Sequence, residues 1–257
     1  MINNYQSFLQ LHQQEQPLLI GNAWDLTSAL AFERMGFKAI ATSSVAVANS
    51  MGYEDKEQIP FELLLSVVKR MITPLNVPLS VDLETGYSRT IPGIIENIEK
   101  LYDLGVVGIN IEDSLITERG KLLPITDFVK IISSIRNHLD KKNMQMFINA
   151  RTDGFLAKQP SSLDETIKRA IAYEEAGASG LFVIFLDDEY NTRQIVQATK
   201  LPLNIFCTRS LPSFDIVKDW GVKRISMGGS IYKNVIMNLD KTLGRIQEEG
   251  SFESLFG

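Results

Sequence analysis

The chain has 257 residues, of which 44% are hydrophobic and 22% are charged, and its net charge at pH 7 is −5. This is an ordinary globular composition, and the lack of basic blocks disfavours nucleic-acid binding. No apolar run approaches the roughly 20 residues that span a membrane, and the polar N-terminus lacks a signal-peptide core. The single cysteine excludes an internal disulfide framework. We therefore expect a cytoplasmic protein that binds neither nucleic acid nor membranes.

Eight short apolar segments, rich in β-branched residues, recur along the chain. Most of them follow a proline, or a glycine of the kind that ends a helix in the left-handed conformation. Such runs are typical of parallel strands that are buried on both faces. In chain order they are Leu18–Trp24, Met35–Ser43, Leu79–Glu84, Leu104–Glu112, Met144–Arg151, Ala176–Ile184, Leu203–Cys207 and Trp220–Gly228.

Amphipathic helical stretches separate these eight segments. Alternating strands and helices predict parallel strands joined by right-handed crossovers. Eight such units favour a closed (β/α)₈ TIM barrel, with residues 1–257 forming a single domain. An open doubly wound sheet is the alternative, but no GxGxxG motif or P-loop supports a nucleotide-binding version of it.

Three carboxylates fall where predicted strands end. Asp82 and Glu84 end the third strand, and Glu112 ends the fourth. The C-terminal strand ends of a barrel meet at one mouth, where active sites form, and unpaired buried charge is costly. With no histidine or cysteine nearby, the cluster favours Mg²⁺ or Mn²⁺. The alternative is that these acids pair with lysines or cap the following helices.

Other polar residues also end predicted strands. Arg151 follows an apolar strand, so it either clamps a substrate carboxylate or phosphonate or pairs with Glu112 or Asp153, and both can hold at once. The small polar residues Thr42–Ser44 can form a backbone anion nest or a simple capping turn. Asp55 lies on a loop after the second strand, where a solvated charge is the ordinary outcome.

The two histidines lie away from the predicted strand ends. His12 and His138 fall on predicted outer helices among neighbours typical of a surface. Histidine-based acid–base catalysis is therefore disfavoured, and no Ser-His-Asp arrangement can be assembled.

Five motifs together resemble the isocitrate lyase/phosphoenolpyruvate mutase superfamily. They are the serine pair at Ser43–Ser44, GYED at Gly52–Asp55, VDLETGY at Val81–Tyr87, NIED at Asn110–Asp113 and NARTD at Asn149–Asp153. The resemblance implies a (β/α)₈ barrel whose C-terminal helix is exchanged between the subunits of a homodimer or homotetramer. It also implies an enzyme that uses Mg²⁺ to make or break C–C or P–C bonds in small α-oxo acids and related carboxylates.

The resemblance also implies roles for individual residues. Asp82 is the direct metal ligand, whereas Glu84 and Glu112 hold the ion largely through water. Asp55, Glu112 and Arg151 are the catalytic residues that it implies. The substrate-binding residues are Trp24, Asp25, Ser43, Ser44, Val45, Asp82 and Arg151.

The loop after the fourth strand departs from the better-known members. The segment Ser114–Pro124 lacks the cysteine and histidine of the lyase branch and the Lys-Thr-Asn-Ser-like segment of the phosphonomutase branch. Glu118 and Arg119 either supply a different acid or anion contact there or belong to a solvated loop. We expect a Mg²⁺-dependent enzyme that breaks a C–C or P–C bond through a metal-stabilised enolate. The alternatives are a phosphonopyruvate hydrolase or mutase and a catalytically silent barrel that binds an oxo acid.

Overall fold

Eight parallel strands close into a barrel in the order of the chain, from β1 to β8 and back to β1. The structure is a computed structural model that describes residues 4–115, 121–156 and 162–256. The predicted (β/α)₈ barrel is confirmed, and the open doubly wound sheet is wrong. The strands are β1 Leu18–Ala23, β2 Ile40–Thr42, β3 Leu79–Asp82, β4 Gly108–Glu112, β5 Phe147–Thr152, β6 Gly180–Val183, β7 Leu203–Phe206 and β8 Arg224–Ser226.

Eleven helices lie within the described ranges, and most of them surround the barrel. Their amphipathic spacing buries one face, as in the helix Ile91–Asp103, whose Ile94, Ile98 and Leu101 point into the core. No described helix combines the length and hydrophobicity that a membrane span requires. The helices are α1 Asn4–Leu11, α2 Leu26–Arg34, α3 Ser44–Ser50, α4 Phe61–Ile72, α5 Ile91–Asp103, α6 Ile125–Lys141, α7 Ser162–Glu175, α8 Glu189–Ala198, α9 Phe214–Asp219, α10 Ser230–Glu249 and α11 Glu253–Phe256.

Glycines end helices where the sequence predicts it. Gly105 after α5 and Gly177 after α7 both have φ of +95°, a conformation that other residues rarely adopt. At Gly177 a β-carbon would also lie 2.7 Å from Cγ of Arg136. The turn into β6 therefore requires glycine for its backbone angle and for space.

The N-terminal end of the barrel is closed by α1, and His12 lies buried against it. The ring of His12 stacks on Phe147 with centroids 4.4 Å apart, and Nδ1 donates to the Phe8 carbonyl at 2.8 Å. Only 4% of the residue is exposed, so the predicted surface position is wrong. The reason is that α1 packs its apolar side under the barrel instead of outside it, which no local pattern reveals.

The burial of His12 makes the fold sensitive to acid. Burial and the nearby charge of Arg224 lower the pKa of His12 to about 3, against about 6.5 in an unfolded chain. Between these values the unfolded chain binds more protons, so stability falls as pH drops below about 6.5. At pH 4.5 the loss is about 3 kcal/mol. His12→Phe keeps a ring but cannot titrate. We expect its urea midpoint to decrease less between pH 7 and 4.5 than that of the unmodified protein.

The control for this experiment is His138→Gln. His138 is the only other histidine and lies 2.9 Å from Glu99 on the protein surface. The stability of His138→Gln should therefore decrease on acidification as steeply as that of the unmodified protein. If His12→Phe loses stability on acidification as steeply as the unmodified protein, other groups govern the acid response.

The long helix α10 leaves the barrel without burying any of its residues. Its exposed apolar residues are Ile231, Val235, Ile236, Met237, Leu239 and Leu243. An apolar helix face of this size is unusual on a monomer. Exchange of this helix between subunits stays a prediction.

Candidate active site

A cavity of about 480 Å³ opens at the C-terminal mouth of the barrel. Its polar side combines carboxylates from β3 and β4, an arginine from β5 and the start of α3 after β2. The predicted site residues that line it are Ser43, Ser44, Val45, Asp55, Asp82, Glu84, Glu112 and Arg151. The barrel thus brings together groups that lie more than 100 residues apart in the chain.

Asp82 lies at the centre of the acidic side, at the end of β3. The hydroxyl of Ser44 donates to its Oδ2 at 2.8 Å, and its backbone N–H donates to the hydroxyl of Thr42 at 2.8 Å. Its Oδ1 is buried and has no hydrogen-bond partner among the described residues. One carboxylate oxygen is therefore fixed in place, and the other is left for a ligand.

Glu84 is held beside Asp82 in a strained conformation. Its φ of 51° is unusual for a residue other than glycine, and its two carboxylate oxygens accept from the Tyr87 hydroxyl at 2.9 Å and the Glu57 backbone N–H at 3.0 Å. Burial and repulsion from neighbouring carboxylates, Asp82 foremost, raise the pKa of Glu84 to about 9. The site therefore concentrates more negative charge than the protein alone compensates.

Glu57 binds the loop after α3 to the residues that follow β3, beside Asp82 and Glu84. The sequence did not predict this role. Oε1 of Glu57 accepts from the backbone N–H of Thr85 at 3.0 Å and of Tyr87 at 2.8 Å, while Oε2 pairs with Arg89 at 2.8 Å. These bonds hold the segment that carries Asp55 at the rim of the cavity. A glutamate in a polar loop gives no sequence signal for such a role.

Arg151 projects from β5 between two acids. Nη1 lies 2.8 Å from Oε2 of Glu112, and Nε and Nη2 donate to Asp153 at 2.9 and 3.1 Å. Burial raises the pKa of Glu112, although the adjacent guanidinium opposes this effect. The predicted ion pairs are therefore present, and they orient the guanidinium at the cavity wall. A substrate contact of Arg151 stays a prediction.

The oxygen-rich cluster fits a hydrated divalent cation better than a bare one. In the described part of the chain, no three histidine, cysteine or acidic side chains converge closely enough to enclose a metal ion. Mg²⁺, however, keeps several waters and needs only one or two carboxylates. The free Oδ1 of Asp82 can bind it directly, while Glu84 and Glu112 lie where they can hold its waters. Mn²⁺ would fit the same donors.

Trp24 and Asp25 do not reach this cavity. Asp25 caps α2 by accepting from the Ser28 N–H at 2.7 Å, and Trp24 packs edge-on against Tyr232 at 5.2 Å. Both line a separate, largely apolar cavity beside α2 and α10. The geometry of the single chain therefore does not support their predicted contact with substrate.

Besides Leu115 and Leu156, four apolar residues on one side of the cavity were not predicted from the sequence. They are Phe182, Ile184, Phe185 and Phe206, from β6, β7 and the residues just after β6. At the end of a buried strand, such residues cannot be distinguished from core residues by pattern.

The loop after β4 is described only at its two ends. Ser114 pairs with Leu122 in an isolated bridge, and its hydroxyl donates to Oδ2 of Asp153 at 3.0 Å. Glu118 and Arg119 lie outside the described residues, so their predicted contacts and any gating by this loop stay predictions.

Comparisons with known proteins extend over most of the chain. A family model described as phosphoenolpyruvate phosphomutase matches residues 8–247. An uncharacterized protein of Mycobacterium tuberculosis is 34% identical over 227 residues, which cover 88% of this chain and 83% of that protein. The 2-methylisocitrate lyase of Escherichia coli is 30% identical over 195 residues, covering 74% of this chain and 65% of that enzyme. A crystal structure from Burkholderia cenocepacia, named as a phosphonomutase, has 34% identity and a TM-score of 0.89, covering 94% of this chain and 99% of its own.

Proposed function

Because the chain belongs to the isocitrate lyase/phosphoenolpyruvate mutase superfamily, we propose that it uses Mg²⁺ to break a carbon–carbon bond in a small α-oxo acid or related carboxylate. It is an enzyme of the lyase and mutase type that this superfamily contains. One observation carries the specific proposal. The unpartnered Oδ1 of Asp82 lies in the same cavity as the start of α3 and Arg151, which supports a cation ligand and two carboxylate-binding elements acting on one substrate.

The start of α3 and Arg151 would hold the carboxylate of the substrate. The first N–H groups of a helix have no partner within it, so those of Ser44 and Val45 can donate to an anion, while Ser43 fixes the turn by accepting from the Ala46 N–H at 3.4 Å. The Arg151 guanidinium supplies a positive charge whose direction Glu112 and Asp153 fix. This arrangement orients the reacting bond before the reaction begins.

The acidic side would stabilise charge as the bond breaks. A divalent cation, when bound there, acts as a Lewis acid on negative charge that develops at substrate oxygens. Asp82 would hold it, and Glu84 and Glu112 would fix its waters. Asp55, which also lines the cavity, is the residue that we assign to proton transfer.

Turnover of small oxo acids tests the proposed reaction. Oxaloacetate and C2 to C6 oxo acids and hydroxy diacids would be incubated with Mg²⁺ and followed by NMR. We expect cleavage of at least one of them, and loss of that activity in excess EDTA. Full activity in EDTA would contradict the metal assignment. Metal-dependent oxalate binding without turnover of any acid would instead identify a silent binding protein.

A phosphonopyruvate hydrolase or mutase is the second candidate, because the matching family model is described as a phosphomutase. Phosphate release from phosphonopyruvate, measured beside pyruvate release from oxaloacetate, separates the two reactions.

We also infer a cytoplasmic homodimer or homotetramer, which the single cysteine and the uncovered apolar face of α10 support.

A further inference from the structure

One side of the cavity is apolar. Every cavity-lining residue that the structure describes on β6, β7 and the turn just after β6 is hydrophobic. We call this surface the apolar wall, and it consists of Phe182, Ile184, Phe185 and Phe206. Phe185 is 38% exposed, and Ile184 and Phe206 are partly exposed, so the wall is available to a ligand.

The wall is a packed surface. The rings of Phe185 and Phe206 meet edge to face with centroids 5.9 Å apart, and Phe182 lies 5.9 Å beneath the guanidinium of Arg151. Phe185 has a φ of 60°, which is costly for an aromatic residue. A β-carbon on Gly228 would lie 2.6 Å from the Phe206 ring. The rings are therefore held in place before any ligand arrives.

The wall faces the polar side across the barrel. In the closed order of eight strands, β6 and β7 lie opposite β2 and β3. Those two strands lead to Ser44 and to Asp82, so a carboxylate held there directs the rest of a small molecule across the mouth. The substituent of the substrate that lies farthest from the reacting head therefore meets the apolar wall.

Among the described residues, a second anionic group would find no fixed cationic partner at the wall. The cations that line the described cavity are Lys56, Arg151 and Lys233. Arg151, which pairs with Glu112 and Asp153, is assigned to the carboxylate of the head, and the two lysines are exposed and follow β2 and β8. Desolvating a carboxylate against aromatic rings without a partner is strongly unfavourable, whereas an alkyl or aryl group gains from the same burial.

We propose that the substrate carries an apolar alkyl or aryl substituent at the end remote from its oxo-acid head, where many small metabolic acids carry a second carboxylate. This inference rests on the proposed function, because the head must bind at Asp82 and the start of α3 for the remote end to reach the wall. It narrows the substrate class to monocarboxylic oxo or hydroxy acids with a hydrophobic tail.

Two oxo acids of matched size test the inference. In 5-methyl-2-oxohexanoate an isopropyl group replaces the distal carboxylate of 2-oxoglutarate. Displacement of bound oxalate would be followed with the Mg²⁺-loaded full chain, and we expect the branched acid to bind at least about tenfold more tightly, the discrimination typical of a hydrophobic pocket. Equal or tighter binding of 2-oxoglutarate would overturn the inference. If oxalate itself does not bind with Mg²⁺, the proposed function fails and the inference fails with it.

A pair of variants assigns the preference to the wall. Ile184→Lys places a cation at a partly exposed position of the wall, and we expect it to reduce or reverse the preference for the branched acid while oxalate still binds. Ile184→Met, which keeps an apolar side chain of similar volume, should retain the preference. An unchanged preference in Ile184→Lys, with oxalate binding intact, would show that the tail lies elsewhere and would overturn the inference.

Discussion

Replacing Asp82 with alanine should abolish Mg²⁺-dependent oxalate binding and turnover while leaving the barrel folded. Asp82 provides the one buried carboxylate oxygen in the cavity that lacks a described partner, and the metal has no comparable ligand to replace it. Loss of a residue that merely supports a ligand costs about 10- to 100-fold in metal affinity, so loss of the ligand itself should exceed about 100-fold. Titration calorimetry of oxalate, with and without Mg²⁺, measures this effect independently of catalysis.

Two further variants make the Asp82 experiment specific. Asp82→Asn keeps the shape of the side chain and removes its charge, so it should lose metal-dependent binding as well. Asp82 repels the buried Glu84 but attracts the buried Arg151 and Arg224; because these effects oppose each other, the metal-free variant should still fold, which urea unfolding checks. Asp127→Asn removes an exposed acid from the first turn of α6 and should change neither property. Retained metal-dependent oxalate binding in Asp82→Asn would refute the assignment of Asp82.

Replacing Arg169 with methionine should destabilise the fold by about 3–5 kcal/mol, because it leaves a buried carboxylate without its cation. Arg169 Nη1 lies 3.0 Å from Oδ2 of Asp113, a fully buried residue just after β4, and also donates to the Leu123 carbonyl at 3.0 Å. The hydroxyl of Tyr173 donates to the same Asp113 oxygen at 2.6 Å. Urea unfolding at pH 7 measures the loss.

An exposed arginine on the next helix provides the matched control. Arg193 pairs with Glu189 at 2.7 Å one turn apart on α8 and donates to the Asp219 carbonyl at 2.7 Å, and the side chains of Arg193 and Glu189 are open to solvent. Arg193→Met should therefore cost less than about 1 kcal/mol. In the double variant Arg169→Met/Asp113→Leu, part of the lost stability should return, because no buried charge remains. Equal losses in Arg169→Met and Arg193→Met would show that the Asp113 pair does not stabilise the fold.

The acidic residues illustrate how far the sequence predicts the site. Asp82, Glu84 and Glu112 stand out because charge at the end of an apolar run has to be compensated, and the barrel brings these strand ends together as expected. Asp25 also follows an apolar strand, yet it caps the next helix. Capping and substrate contact require the same residue type at the same place, so the pattern alone could not separate them.

Local patterns in the chain were sufficient to predict the eight strands, the glycine turns and the acids at the mouth. Each of these features depends on backbone geometry or on burial within a few consecutive residues. The positions of His12, Glu57 and the apolar wall followed only from the assembled barrel. They depend on which segments meet across the fold: α1 under the barrel, the loop after α3 over β3, and β6 and β7 opposite β2 and β3. An apolar side chain has the same sequence signature in a core and in a cavity wall, because only its neighbours in space decide whether a ligand can reach it.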